Sequence, residues 1–430
     1  MRLLIASEDS GCVKECIANR GTNTAVQTGL QPLHLQSHLA QGLLNHVQKI
    51  LQVNHAQTLL GRANGNLELV KLEMSERELT EEDQPKFEVG NYEVQASLEG
   101  LFDAGKLCES SKNQTEVVDK FVELYALPGA ESTYVAATKS GLLHFFTVHD
   151  GKLCATVTHE LKGPVDFVQL YDLSSTMKEH IFAYGGEENQ VKIVEVKRDL
   201  SHVTQIWACK NVPNDRLDLK VPIWPVALKF FGACEESNDS KLNLQFLTIS
   251  RYAHLRFYQT NHGRKPVKSI DLLPKKESLV SLQLVGDLSP LGNAKSSKTD
   301  EFSIITTDTK TNVFQFSTSG QLLGKFGSSD ITGFSSVAVA HKQRYLLQGG
   351  LDRYLRVFRL KDRELLMKVY TGGKITDVIL LDEADIKLPS DPKDEKKHAR
   401  QMRKKSEMDE LEANDDIWLE LDSKKKKRKV

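Results

Sequence analysis

The residues with the clearest capacity for chemistry lie near the N-terminus. Cys12 and Cys16, separated by three residues, precede His34 and His38 at the same spacing. The set superficially resembles a two-cysteine, two-histidine zinc finger. The segment between the pairs is 17 residues long, against the ~12–15 usual for that motif. Cys12 and Cys16 also sit on an alternating segment that reads as a strand. They then point to one face about 13 Å apart at ~3.3 Å per residue, too far for one tetrahedral ion. They read as core or near-core cysteines, and no metal or cofactor is expected.

The nearest approach to a phosphate-binding loop is Gly320-Gln-Leu-Leu-Gly324-Lys325. It is one residue short of the required spacing, and Phe326 stands where the Mg²⁺-binding hydroxyl belongs. Gly333-Phe-Ser335 lacks the second glycine of a nucleophile elbow, and HExxH does not occur. The chain is therefore not expected to be an enzyme or to take a small-molecule substrate.

What remains is the chemistry of recognition. KNVPNDRLDLKVPIWP (210–225) carries Asp215, Arg216, Asp218 and Lys220, with Trp224 between Pro222 and Pro225. NHGRKPV (261–267) offers Arg264 and Lys265, either as phosphate contacts, which position an RNA backbone without reading its sequence, or as an ordinary solvated turn. Near the C-terminus, Ile417, Trp418, Leu419 and Leu421 form an apolar island in an acidic stretch (407–422), a candidate docking motif. Lys424, Lys425, Lys426, Lys427, Arg428 and Lys429 then form a run of six cations. That run is a nuclear localisation signal or a solvated tail.

The elements that position these residues are strands. Period-two alternation keeps returning as a strand, a polar turn and a second strand: 5–16, 59–72, 135–148, 181–196, 246–259, 303–316 and 346–360. Each hairpin but the first follows a more apolar strand, such as VQKILQV (47–53) or PVALKFF (225–231). One further apolar strand, ITDVILL (375–381), has no hairpin after it. The leftover strand and the leftover hairpin complete one another if the chain closes into a ring, which hides both terminal edges. A β-solenoid gives similar local patterns but leaves these ends without a partner. With outer strands at 152–159, 203–208 and 364–370, the expectation is an all-β, seven-bladed WD40-like β-propeller over residues 1–385, with N- and C-terminal strands sharing a blade. Residues 73–116 and 286–300 read as surface insertions, and 30–46 as a short helix or irregular connector.

The turns within the hairpins and the loops entering the innermost strands then emerge on one rim. That rim gathers Lys139, Glu187, Glu188, Arg251 and Tyr252, together with Asp352, Arg353 and the 210–225 loop. Arg, Tyr and Trp amid mixed charge suit protein recognition. The other reading is that Asp/Arg pairs only staple neighbouring blades and Trp224 is core. A catalytic or ligand-binding channel would need inward titratable residues, of which the apolar inner strands give little sign.

Net charge is −1 overall, so the whole chain is no generic polyanion binder. Residues 391–430 hold 13 Lys and Arg against 11 Asp and Glu, leaving 44 and 47 elsewhere. The body is net negative and the tail net positive. Residues 386–430 are expected to be a flexible charged tail, having too few apolar residues to offset ordering. No run approaches the ~20 apolar residues of a membrane span and no secretory signal is evident. The chain is thus expected to be intracellular, with no membrane partner.

VAATKSGLLH (135–144), FAYGGEENQVKIVEV (182–196), NVPNDRLDLKVPIWP (211–225), NHGRKP (261–266) and LLQGGLDRYLRVF (346–358) resemble the Nop-seven-associated WD-repeat protein family of fungi and its animal WD-repeat counterpart. The resemblance runs from MRLLIASEDSG through the last blade. It implies a non-enzymatic assembly factor of the large ribosomal subunit, in the nucleus and nucleolus. Its implied partners are pre-ribosomal assembly factors, the pre-ribosomal particle with its rRNA, and an AAA-type ATPase that releases it. A nuclear adaptor or ubiquitin-ligase substrate receptor is the alternative. No hairpin ends in Trp-Asp; Phe316-Ser317 and Phe358-Arg359 stand there instead. The polar network of regular WD blades is therefore not expected, and packing should be mostly apolar.

Overall fold

The computed structural model describes residues 1–76, 87–103, 105–107, 118–172, 179–214, 217–232, 243–275, 277–286, 288 and 302–387. One compact unit comprises Met1–Ser75 and Val89–Asp385. The second, Glu76–Glu88 and Ile386–Val430, lies almost entirely outside the described residues, as do the apolar island and the terminal cations.

The described residues form 28 strands in seven four-stranded antiparallel sheets. Blades two to seven run in chain order: 47–98, 121–160, 167–208, 225–271, 279–326 and 335–370. Blade one is made from both ends of the chain. Its innermost strand, Ile375–Asp382, pairs antiparallel with Arg2–Ser7 in the register Leu3↔Leu380 and Ile5↔Val378. The seven hairpins and the ring closure read from the sequence are thus the observed ones.

The core explains why the ring must close. Strand side chains alternate between faces, and each blade has two faces to bury. The apolar clusters accordingly lie between neighbouring blades. Leu3, Ile5, Cys16, Val378 and Leu380 of blade one pack with Leu347, Val357 and Met367 of blade seven. Between blades four and five, Trp207, Phe230, Phe246 and Tyr258 pack edge-on and stacked. Each fully buried apolar side chain stabilises the fold by roughly 1.5–3 kcal/mol, and these clusters draw their members from two blades.

Two sequence expectations are corrected. Within 30–46 there is an outer strand, His34–His38, and a single 3₁₀ turn, Leu43–Asn45, in place of the short helix or connector. Within the segment read as an insertion at 73–116, Glu88–Leu98 is the outer strand of blade two. Only Gly286 and Leu288 of the 286–300 insertion are described.

The expectation of apolar packing without a polar network is corrected too. In blade seven the fully buried Arg356 guanidinium donates to Asp330 Oδ2 (2.6 Å), the Asp330 carbonyl (2.7 Å) and Gln348 Oε1 (3.1 Å). Gln348 in turn donates to Ser335 Oγ at 2.9 Å. In blade two, equally buried Arg62 meets Glu68 at 2.6 Å and the carbonyls of Gly11, Asn45 and Leu39. In blade three, Asp119 accepts from the Ser140 N–H beside a Thr138–Ser140 hydroxyl pair. Such groups cannot be buried unless their bonding capacity is met, and here side chains from turns and entry loops meet it.

Candidate partner-binding rim

The strand order puts the hairpin turns and the entry loops at one end of the ring, as expected. Thus Lys139 N–H donates to the Lys120 carbonyl, Arg251 N–H to Trp224, Leu351 N–H to Phe334 and Glu8 N–H to Lys374. Two further bonds cross between blades, Val165 N–H to Lys139 and Glu188 N–H to Ile223. The rim is therefore a backbone-tied surface and not a set of independent loops.

Trp224 is neither free nor core. Its indole N–H donates to Asp166 Oδ2 at 2.7 Å, and the Arg251 guanidinium lies 5.4 Å from its ring centroid. Side chains from three loops are thereby locked around one half-buried aromatic face. Locked aromatic and arginine side chains lose little entropy when a partner docks. Lys139 stands nearby, and burial together with the Lys139 charge lowers the pKa of Lys120. The same rim presents exposed Glu187, Glu188 and Asp218.

Asp352 and Arg353 divide. The Asp352 carboxylate, 4% exposed, pairs with Arg356 at 2.8 Å and so supports the blade from within. Arg353 is half exposed and lies 3.7 Å from Asp9 of the neighbouring blade. Asp215 and Arg216 lie outside the described residues.

By strand order the 261–267 loop, which leads into the outer strand of blade five, is expected at the end of the ring opposite the hairpin turns. Its Arg264 and Lys265 join the long entry loop, which runs along the flank of blade five. Lys210 N–H donates to the Arg264 carbonyl at 2.7 Å, and Arg264 Nε to the Ala208 carbonyl at 2.6 Å. A groove of about 660 Å³ runs between them, lined by Val212, Pro213 and Lys220 on one side and Tyr252, Arg256 and Lys265 on the other. Leu217 and Leu219, 78% and 60% exposed, stand on the same loop. Sequence reasoning missed Asp166 and Arg256, since nothing local signals that they meet Trp224 or the groove.

The expectation of an apolar channel also needs correction. All seven innermost strands line one central cavity of about 220 Å³, and Lys49, Glu123, Gln169, Lys229 and Asp377 are among its walls. Lys49 pairs with Glu123 at 3.2 Å, Lys229 donates to Gln169 at 2.8 Å, and Asp377 accepts from the Ile50 N–H at 2.8 Å. Burial pushes the Asp377 carboxyl up to about 6, with Glu123 adding to the rise and Lys49 and the Ile50 N–H opposing it. The folded state then holds this proton more tightly than the unfolded chain does. Stability should fall as pH rises from about 4 to about 6. Asp377→Asn should remove that fall and add on the order of 1–2 kcal/mol at pH 7–8. Urea unfolding at pH 5 and pH 8 checks it; an unchanged pH slope in the variant is the contrary result.

Among the described residues, no helix is long and apolar enough to cross a membrane. Comparison with known proteins gives long, continuous similarity. The chain is 52% identical to the ribosome biogenesis protein NSA1 of Eremothecium gossypii, over 100% of this chain and 98% of that protein. It is 45% identical to the Kluyveromyces lactis protein of the same name, covering 99% of each. To that of Saccharomyces cerevisiae it is 42% identical, covering 99% and 97%. No family model matches the chain. Among solved structures, Saccharomyces cerevisiae Sqt1 superposes with a TM-score of 0.48 at 9% identity, over 78% of this chain and 88% of that one. The WD40 propeller domain of Doa1 gives 0.48 at 10%, over 77% and 84%. Those scores are too low to carry an argument, and the propeller rests on the strand pairing itself. With full-length identity of this order to several relatives, the chain belongs to the family of the ribosome biogenesis protein NSA1.

Proposed function

We propose that this chain is a non-enzymatic scaffold in assembly of the large ribosomal subunit. It docks other assembly factors on nucleolar pre-ribosomal particles through the rim and flank of blades three to five. The observation that carries the reading is the Asp166–Trp224–Arg251 lock continuing into the groove beside Lys220 and Lys265. The name shared by the relatives supports the process. The channel's polar groups are hydrogen-bonded within the propeller, which favours a structural use for them over catalysis. In this reading Arg264 and Lys265 meet rRNA phosphate or an acidic partner loop, the 424–429 cations direct nuclear entry, and an AAA-type ATPase strips the factor from the particle.

Reversing Lys139, Arg251 and Lys265 to glutamate should move the protein from particle fractions to free fractions on a sucrose gradient. Loss of anchors of this kind weakens binding by at least ~2 kcal/mol, or roughly thirtyfold. The circular dichroism spectrum should not change. Particle association that survives these reversals would remove the rim as the interface. Co-purification with ubiquitin-ligase subunits and without rRNA precursors would replace assembly with the adaptor function.

A further inference from the structure

The cysteines and histidines of the N-terminal pattern part company in the structure. Cys12 and Cys16 lie on the strand Cys12–Ile17 with both side chains buried, Cys16 in the core shared with blade seven. The opposite face of that strand carries Glu15, because alternate residues point opposite ways. The partner strand His34–His38 pairs in the register Ile17↔His34, Glu15↔Gln36 and Val13↔His38, which sets both histidines on the Glu15 face. Strand rise keeps their backbones apart, but imidazole side chains are long and these converge. One ligand atom from each of Glu15, His34 and His38 lies within 4.8 Å of the others.

We propose that Glu15, His34 and His38 form a structural zinc site at the junction of blades one and two. The geometry argues for an ion and against a simple hydrogen-bonded cluster. Glu15 Oε2 and His34 Nε2 are 3.6 Å apart, too long for a hydrogen bond. Donor atoms sharing a tetrahedral zinc at ~2.0–2.2 Å stand about 3.3–3.5 Å apart. His38 Nε2 is buried and meets no hydrogen-bond partner among the described residues, a cost that coordination removes.

The surroundings hold the carboxylate for this task. Fully buried Glu15 accepts from the Gly90 N–H at 2.9 Å and faces the Tyr92 hydroxyl at 3.4 Å, while Arg2 Nε lies 3.6 Å from Oε1. A Cβ on Gly90 would come within 2.5 Å of Leu72, so glycine lets this backbone approach. Tyr92 tilts against the His38 ring at 4.7 Å. Gly90 and Tyr92 belong to the outer strand of blade two, so the ion would fix the carboxylate and the imidazole against which that strand packs. Two imidazoles and one carboxylate leave a fourth position for water, as zinc accepts.

The test uses the untagged full chain, dialysed against EDTA and then against buffer. Titration with Zn²⁺ should load one ion per chain and raise the melting temperature. Co²⁺ should give visible tetrahedral absorption without a thiolate charge-transfer band. His38→Gln, on a partly exposed outer strand, should weaken zinc affinity at least ~tenfold; His34→Gln should do the same. No uptake by the wild-type protein, unchanged affinity in both variants, or a thiolate band would each overturn the site. The wild-type titration and the Co²⁺ spectrum decide the matter even where a variant does not fold.

Discussion

A chain ending after Gly373 should yield no soluble, cooperatively melting protein, whereas one ending after Asp385 should melt within ~2 °C of the full chain. The difference is one strand. Ile375–Asp382 is the innermost strand of blade one and the only inner-side partner of Arg2–Ser7. Removing it deletes buried Ile375, Val378 and Leu380, each worth roughly 1.5–3 kcal/mol. It also uncovers Leu347 and Val357 on blade seven and Val47 and Leu60 on blade two. Arg2–Ser7 is left as an open apolar edge, a template for aggregation. The N-terminal ammonium loses the Ala384 carbonyl and Arg20 loses Asp385. Together these exceed what remains of a typical ~5–15 kcal/mol stability. Soluble yield and a thermal melt of the two truncations decide the point. A cooperative melt of the shorter chain would mean that the ring holds without its seventh inner strand.

That closure was legible because both halves of the signal are apolar. ITDVILL lacks a hairpin and MRLLIAS lacks a preceding strand, and period two fixed which faces met. Outer strands were harder to read for a physical reason. His34–His38 has no buried residue, and in Glu88–Leu98 only Gly90 and Tyr92 are buried. Little burial is required of such a strand, so the alternation of Tyr92, Val94, Ala96 and Leu98 stands beside a long polar stretch and reads as part of an insertion. The candidate site divides in the same way. Trp224 and Arg251 could be singled out by type and loop position, whereas Asp166, 58 residues from Trp224, meets it only once blades four and five are neighbours. The metal-ligand pattern was set aside on the backbone spacing of Cys12 and Cys16, which says nothing of where His34 and His38 reach.

The polar interior was the least legible feature, and it gives the second large effect. Arg356→Ala should destabilise the propeller by ~3–5 kcal/mol, the range for breaking a buried ion pair by removing one partner. The side chain is wholly buried and serves two carboxylates, Asp330 and Asp352, besides Gln348. Without it Asp352 is left buried without its cation, and Asp330 keeps only Lys368. Arg356→Lys should rescue little, because one ammonium cannot reproduce a planar fork that reaches acceptors on separate segments. Asp352→Asn in the Arg356→Ala background should recover part of the loss, since it removes the stranded charge rather than restoring a bond. Against the effect of its burial, Lys368 and Arg356 hold Asp330 below its ordinary carboxylate range. The loss should therefore be full above about pH 4 and shrink as acid protonates Asp330. Arg359, three residues on, is the control. Its pairs with Asp362 and Glu364 are exposed, and Arg359→Ala should leave the urea midpoint almost unmoved. Equal midpoints for the Arg356 and Arg359 variants would show that blade seven is held by its apolar side chains alone. Unequal ones place this Arg–Asp network, which no Trp-Asp dipeptide announces, among the interactions that hold the ring closed.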